Sequence, residues 1–264
     1  MPTPTPSRRA GAVLAGEWIK LRSLRSLPAT LLAAAVTSVT LAVLVCTSYQ
    51  VRWDRFTEAR RAGFNPVDTS LGNLYIVMLF FGALGALVVT SEYGNGLIRT
   101  TFAATPQRGL VLAAKAVLFG ATALAASTAI CLTAFLAGQS RLGGPVPHAG
   151  LGAHGALRAV LGGALYLTLT GLFGLFLGVL ARSTAIALSA VFGLFLVLPT
   201  MVNSLPKGFL WQHTVPYLPS NLGAAMWHSP QEFMVRPATA AALLAGYVLV
   251  LGAGSLLLLR RRDT

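Results

Sequence analysis

Charged residues are scarce in this chain, and their scarcity indicates the class of protein. Only 10% of the 264 residues are Asp, Glu, Lys or Arg, against about 25% in an ordinary soluble domain. A soluble protein with so few charges could not cover its surface. Hydrophobic residues make up 55% of the sequence, and the mean hydropathy is +0.70. These values predict a protein whose main solvent is lipid.

The motifs that mark an enzyme or an ATP-binding chain are also missing. The sequence has no G-x-x-x-x-G-K-[ST] loop for nucleotide phosphates, no G-x-S-x-G nucleophile turn and no H-E-x-x-H metal site. We therefore expect no catalytic residue, no metal site and no cofactor-binding site in this chain.

Cysteine is rare too. Cys46 and Cys131 both fall in apolar runs, so we expect two free, buried thiols.

Acidic residues number only seven, which leaves a formal net charge of +13. The basic residues mostly flank apolar runs, where they can contact anionic headgroups, so we expect membrane lipids and not nucleic acid as partners. No Asp, Glu or His falls inside the predicted spans, which disfavours a proton-driven carrier, because such carriers use these groups as relays. Lys115 and Arg158 fall near span ends and are expected to extend towards the headgroups.

Six apolar runs are each long enough to cross about 30 Å of hydrocarbon as a helix. They are rich in Leu, Ala, Val and Gly without strict alternation, which favours helices over barrel strands. The predicted fold is an all-α polytopic membrane protein, with a tail and helix at residues 1–27 and one six-span domain at residues 28–264. The predicted spans are residues 28–48, 71–90, 109–137, 157–180, 185–203 and 238–259.

Lys and Arg are more frequent on one side of these spans, which predicts that both termini are cytoplasmic. The residues on that side are Arg8, Arg9, Lys20, Arg22, Arg25, Arg99, Arg108, Lys115, Arg182, Arg260, Arg261 and Arg262.

Two segments outside the spans are predicted to be helical. In residues 11–27, Leu14, Trp18 and Leu21 share one helical face beside several basic residues, which is typical of a helix at the headgroup boundary. A basic flank that only fixes topology is the alternative. Residues 204–237 are rich in aromatic side chains, which predicts short re-entrant or interfacial helices. Before them, Pro199 is expected to kink or stop the fifth span.

Glycines of the fourth span recur at helical spacing. Gly171, Gly174 and Gly178 share a face, and small residues there let two helices approach closely in lipid. The spacing fits a contact within the bundle as well as a dimer contact.

A polar segment at residues 91–108 separates the second and third spans. Gly94 and Gly96 are expected to end the second span. Thr105 and Pro106 are typical of an N-cap and a first helical position, so the third helix is predicted to run from residue 106 to residue 137. Because that helix is longer than a membrane crossing, its first turns should protrude into the cytoplasm. The segment then forms an elbow with an apolar surface for a partner, or else a simple reversal loop.

Several motifs are spread along nearly the whole chain. They are E-W-I-K-L-R-S-L-R-S at residues 17–26, E-Y-G-N-G-L-I-R-T-T at 92–101 with T-P-Q-R at 105–108 and A-A-K at 113–115, A-R-S-T-A at 181–185, and P-Y-L-P-S-N at 216–221. Together they resemble the permease subunits of bacterial ABC-2-type transporters. Leu97 departs from the family pattern, in which a polar or small residue is more common at this place.

The resemblance implies a fold and a set of partners. The fold has an interfacial N-terminal helix, a cytoplasmic coupling helix between spans two and three, and re-entrant elements before span six. The implied complex contains two permeases, identical or different, and two separately encoded P-loop ATPase subunits, which carry the ATP and Mg²⁺. The location is the bacterial plasma membrane.

The function expected on this basis is that of the membrane-spanning subunit of an ATP-driven exporter. The residues expected to dock the ATPase are Glu92, Leu97, Arg99, Thr100 and Phe102. Two alternatives stay open, a scaffold or sensor partner that transports nothing and an ion-coupled carrier. The sequence does not identify a substrate.

Overall fold

Helices account for all the regular structure among the residues that the computed structural model describes, which are 6–94, 107–204, 208–229 and 234–261. Six helical segments are long and apolar enough to cross a membrane, which confirms the predicted all-α, six-span, multi-pass architecture. These segments are Ser26–Arg55, Pro66–Gly94, Arg108–Gln139, Ala156–Ala181, Thr184–Asn203 and Pro237–Leu259.

The helices within and between these segments are numbered along the chain. They are α1 (Pro6–Ser23), α2 (Ser26–Arg52), α3 (Glu58–Ala62), α4 (Pro66–Leu71), α5 (Leu74–Gly94), α6 (Arg108–Gln139), α7 (Ala156–Ala181), α8 (Thr184–Phe192), α9 (Leu198–Asn203), α10 (Phe209–Thr214), α11 (Pro219–Trp227) and α12 (Pro237–Arg261). α5 is described as far as Gly94, so the prediction that Gly94 and Gly96 end the second span stays a prediction. The third helix begins at Arg108, with Gln107 as its N-cap, and ends at Gln139, so the predicted helix at residues 106–137 is shifted by two residues at each end.

The centre of the bundle is α7, with α5 lying along it. In α7, 72% of the most apolar stretch is buried inside the chain, and the corresponding value for the second span is 61%. Only 22% is buried in the first, fifth and sixth spans, so these present most of their surface outward, where lipid would lie. Cys46 and Cys131 are both free and buried, as predicted.

Close approach of α5 and α7 depends on glycine. A Cβ atom placed on Gly174 would overlap the carbonyl oxygen of Gly82, and one placed on Gly85 would overlap the carbonyl oxygen of Gly171. A Cβ atom on Gly178 would lie 3.0 Å from the carbonyl oxygen of Ala86. The two backbones therefore touch directly, as small residues permit where lipid supplies no hydrophobic drive. The glycines of the fourth span face a neighbour in the same chain.

The N-terminal helix α1 buries one of its faces against the bundle. Of the three residues that the sequence places on one helical face, Leu14 and Trp18 are exposed and Leu21 is buried. The inward face of α1 is centred on Glu17 and Leu21. Leu21 packs into the apolar core, so this part of the predicted face contacts the bundle and not the headgroups.

Pro199 does not stop the fifth span. The helix changes type before it, since a π-helical segment at Gly193–Val197 joins α8 to α9, and α9 continues to Asn203. Proline lacks the N–H needed to continue an α-helical ladder and crowds the preceding turn. The wider π turn accommodates both effects, so the span remains continuous.

Short helices precede the sixth span, as the aromatic content of that segment predicts. They are α10 and α11. The second of them packs back onto the bundle, since Leu222 and Trp227 are fully buried and a Cβ atom on Gly223 would overlap the ring of Tyr166 on α7. This end of the molecule therefore carries a helical cap tightly seated on the central helix.

The same end contains an N-cap whose strength can be measured. The Asn65 side chain accepts hydrogen bonds from the backbone N–H groups of Val67 and Asp68 at the start of α4. Replacing Asn65 by Ala is expected to lower the free energy of unfolding by about 1–2 kcal/mol, because those donors lose their partner. Thr57 at the start of α3 makes no such side-chain bond, so Thr57→Ala is the matched control. Equal losses in the two variants, measured by chemical unfolding in detergent, would contradict the expectation.

Candidate functional site

A cluster of buried charges joins three helices at one end of the bundle. Glu17 on the inward face of α1, Glu92 in the last turn of α5 and Lys115 in the second turn of α6 are 4%, 6% and 7% exposed. Burying such groups singly would cost several kcal/mol each, so each needs a partner of opposite charge.

Lys115 is the centre of the cluster. Its Nζ lies 2.6 Å from Glu17 Oε2 and 2.5 Å from Glu92 Oε1. Lys20, one turn along α1, lies with its Nζ 2.6 Å from Glu17 Oε1 and 4.0 Å from Glu92 Oε1. Two carboxylates and two ammonium groups therefore balance in charge. The Lys20 side chain is 32% exposed and marks the solvent-facing edge of the cluster.

This arrangement corrects two expectations about charge in the spans. Glu92 lies within the second membrane-spanning segment, Pro66–Gly94, and so does Asp68 near its other end. The prediction that no carboxylate falls in a span is therefore wrong, because that segment begins five residues before the predicted span of residues 71–90 and is described to four residues beyond it. Lys115 does not extend to the headgroups either, because its ammonium group is held between two carboxylates inside the protein.

A cavity of about 220 Å³ adjoins the cluster. Charged groups of the cluster line it together with apolar side chains such as Leu21, Val88 and Leu118. The cavity lies between α1, α5 and α6, so the charge cluster is bounded on one side by space rather than by close packing. Small displacements of α1 against the other two helices are therefore sterically tolerated here, whereas the ion pairs resist separation.

Two further contacts gather the remaining helices at this end. Arg108 Nη1 donates to the carbonyl oxygen of Leu259, which joins the start of α6 to the last turns of α12. Arg182, in the turn between α7 and α8, has a φ of 52°, in the left-handed region that favours glycine. Its guanidinium lies 5.7 Å from the ring centroid of Tyr93, which joins that turn to the end of α5.

The predicted docking residues are only partly described. Glu92 is buried in the cluster, while Leu97, Arg99, Thr100 and Phe102 lie outside the described residues. The cluster nevertheless lies close to both ends of that segment in the sequence, because α5 is described as far as Gly94 and α6 begins at Arg108.

The sequence prediction missed Glu17 and Lys115 as partners. Their signal was present: Lys115 follows a run of apolar residues well inside the third helix, and Glu17 is the one acidic residue before position 54. An ionisable group placed in an apolar helix normally has a partner of opposite charge, which would have directed attention to Glu17 and Glu92.

Neither a protein-family model nor a curated protein sequence matches this chain.

Proposed function

We propose that this chain is the membrane-spanning permease subunit of an ATP-driven exporter of the ABC-2 type, coupled to a separately encoded P-loop ATPase. The six-span helical architecture supports the proposal, as do the motifs at residues 17–26 and 92–115 that resemble this family. In the complex, ATP and Mg²⁺ bind to the partner, and a second permease completes the translocation path.

The ion cluster is the observation that carries the proposal. Lys115 joins α5 and α6, the helices on either side of residues 95–106, to each other and to α1. A force applied to that segment therefore acts on three helices rather than on a loose loop. Ion pairs with little exposure resist separation strongly, because either charge left alone inside the protein is costly.

The mechanism follows from this linkage. ATP-driven approach of two ATPase subunits pushes on residues 97–102, with Leu97, Arg99, Thr100 and Phe102 as the docking side chains. The displacement enters α5 and α6 together. It then passes to α7, whose backbone touches that of α5, and so reaches the opposite end of the bundle, where α11 is seated on α7. Glu92 acts here as a positioning residue, since its carboxylate faces Lys115 and not the surface.

The docking step is tested by a double substitution. Arg99→Glu with Phe102→Ala is expected to reduce co-purification of the proposed partner ATPase by about tenfold or more, since a central cation and an aromatic anchor are both lost. The matched control is Arg55→Glu with Leu151→Ala, which removes an exposed cation and an exposed apolar side chain elsewhere on the surface. Unchanged co-purification of the first variant would refute the docking role.

An ion-coupled carrier is the second candidate, because Asp68 and Glu92 both fall in the second membrane-spanning segment. Intramembrane carboxylates are a common feature of proton-coupled and sodium-coupled carriers. Proteoliposomes containing the chain with and without its ATPase separate the functions. Exporter function predicts that movement of the lipophilic dyes tested as cargo depends on ATP and persists when proton and sodium gradients are collapsed. Movement that follows a gradient without ATP would replace the proposal, and ATPase binding without any transport would indicate a scaffold.

A further inference from the structure

A second polar junction, partly buried, lies at the end of the bundle opposite the ion cluster. It holds the dipeptide His228–Ser229, which directly follows α11. Asp68 on α4 accepts hydrogen bonds from the backbone N–H and the hydroxyl of Ser229, at 3.0 and 3.2 Å. The other carboxylate oxygen of Asp68, Oδ2, lies 2.9 Å from Nδ1 of His228. Asn65 Nδ2 also donates to the Ser229 hydroxyl, at 2.6 Å.

The junction fixes the end of α11 to two membrane-spanning segments. Asp68 belongs to the second of them, and Arg158, in the first turn of α7, donates through Nη2 to the carbonyl oxygen of His228 at 3.0 Å. The His228 ring also stacks on Trp227, with 4.2 Å between ring centroids. Trp227, which is fully buried, anchors the last turn of α11, and the dipeptide adds a second, polar attachment directly after it.

The pair is accessible to protons from solution. A cavity of about 620 Å³ is lined by both Asp68 and His228, together with Tyr49, Arg60 and Asn65 among others. The side chains of His228 and Asp68 are 20% and 15% exposed. Histidine is the side chain that ordinarily changes charge between pH 5 and pH 8, so this junction contains a group able to respond to pH in that range.

The charges that face His228 come from several elements. Asp68 of α4 attracts a protonated imidazole, and it is the nearest. Arg158 of α7 and Arg60 of α3 oppose protonation, the first through its contact with the carbonyl of His228 and the second from across the cavity. Tyr75 of α5 is uncharged, with its ring centroid 6.5 Å from that of His228. Among the described residues, Asp68 is the charged group that lies directly against a ring nitrogen of His228, whereas Arg158 contacts the backbone carbonyl.

We propose that Asp68 and His228 form a proton-operated latch that fastens α11 to the bundle. A protonated imidazole with its Nδ1 2.9 Å from the carboxylate adds the attraction of opposite charges, which a neutral imidazole lacks. Lowering the pH at this end is therefore expected to stabilise closure. The latch concerns the attachment of α11 and holds whether or not the chain exports a substrate.

Hydrogen exchange of residues 219–229 in the full chain in lipid nanodiscs tests the latch. After correction for intrinsic exchange, the wild-type amides should exchange at least about threefold more slowly at pH 5.5 than at pH 8.0. His228→Gln and Asp68→Asn should each abolish that difference, because one removes the titrating group and the other its carboxylate. His154→Gln, which alters an exposed histidine of another loop, should retain it.

Two results would overturn the latch. One is a wild-type protein whose corrected exchange in α11 is the same at the two pH values. The other is a pH difference that survives in His228→Gln. Size-exclusion profiles and the exchange of α7 show whether each variant is folded. If Asp68→Asn fails that check, His228→Gln and His154→Gln, which leave Asp68 in place, decide the question.

Discussion

Replacing Lys115 by Met is expected to lower the free energy of unfolding by about 3–5 kcal/mol, because it leaves two buried carboxylates with only the partly exposed Lys20 to balance them. Lys115 Nζ is within 2.6 Å of Glu17 and 2.5 Å of Glu92, and all three residues are almost fully buried. Methionine is similar to lysine in length and fills the same space. The loss therefore reports on charge and not on an empty cavity.

The measurement is SDS- or heat-induced unfolding of the purified chain, with Lys20→Met as the matched control. Lys20 touches the same carboxylates but its side chain is 32% exposed, so its removal is expected to cost about 1 kcal/mol or less. Combining Lys115→Met with Glu17→Gln and Glu92→Gln should recover most of the loss, because no buried charge is then left alone. Similar losses in Lys115→Met and Lys20→Met would mean that burial does not set the strength of the cluster.

The triple variant of Lys115→Met with Glu17→Gln and Glu92→Gln also tests the proposed coupling. If the cluster transmits force from residues 95–106, the triple variant should regain stability while ATP hydrolysis and transport in the reconstituted complex become uncoupled. Stability and coupling depend on different properties of the cluster: stability requires that no charge is unpaired, whereas coupling requires that α1, α5 and α6 stay joined. Full ATP-dependent transport by the stable triple variant would remove the cluster from the coupling path.

The six spans could be predicted from the sequence because each is a local property of one apolar run. The first and last residues of the spans could not all be predicted in this way. The second span begins at Pro66 and not near residue 71, since the capped helix α4 continues the membrane segment on the far side of a short turn. Hydropathy does not detect this, because α4 carries Asp68 and Thr69. Likewise the π turn before Pro199 preserves a span that the proline alone suggests should stop.

The two polar junctions could be predicted only in part. Lys115 is recognisable as a buried cation in need of a partner, but its partners Glu17 and Glu92 are brought to it by the packing of α1 and α5. Asp68 and His228 lie 160 positions apart and in segments without a shared pattern. Their contact depends on how α11 folds back onto α7, and no local signal encodes that. The docking residues of the 95–106 segment remain a prediction from spacing and resemblance.

Glycine packing leads to the other large expected effect, at Gly174. Its added Cβ atom in Gly174→Ala would overlap the carbonyl oxygen of Gly82, which is backbone and cannot rotate away as a flexible side chain can. The two central helices must therefore move apart, and every contact along their shared length weakens. We expect a loss of about 2–3 kcal/mol in the free energy of unfolding, at the upper end of the usual cost of overpacking a core.

Gly254→Ala provides the control, since it makes the same chemical change in another membrane-spanning helix. Gly254 lies in α12, and no atom lies within 4 Å of the position its Cβ atom would take. Alanine is the better helix former by up to about 1 kcal/mol, so this variant should be as stable as the wild type or slightly more stable. Relative to the wild type, the SDS concentration at the midpoint of unfolding should therefore be lower for Gly174→Ala and equal or higher for Gly254→Ala. Equal SDS midpoints for the two variants would show that the backbones of α5 and α7 are not in direct contact. The proposed transmission of force from α5 to α7 depends on that contact and would then be wrong.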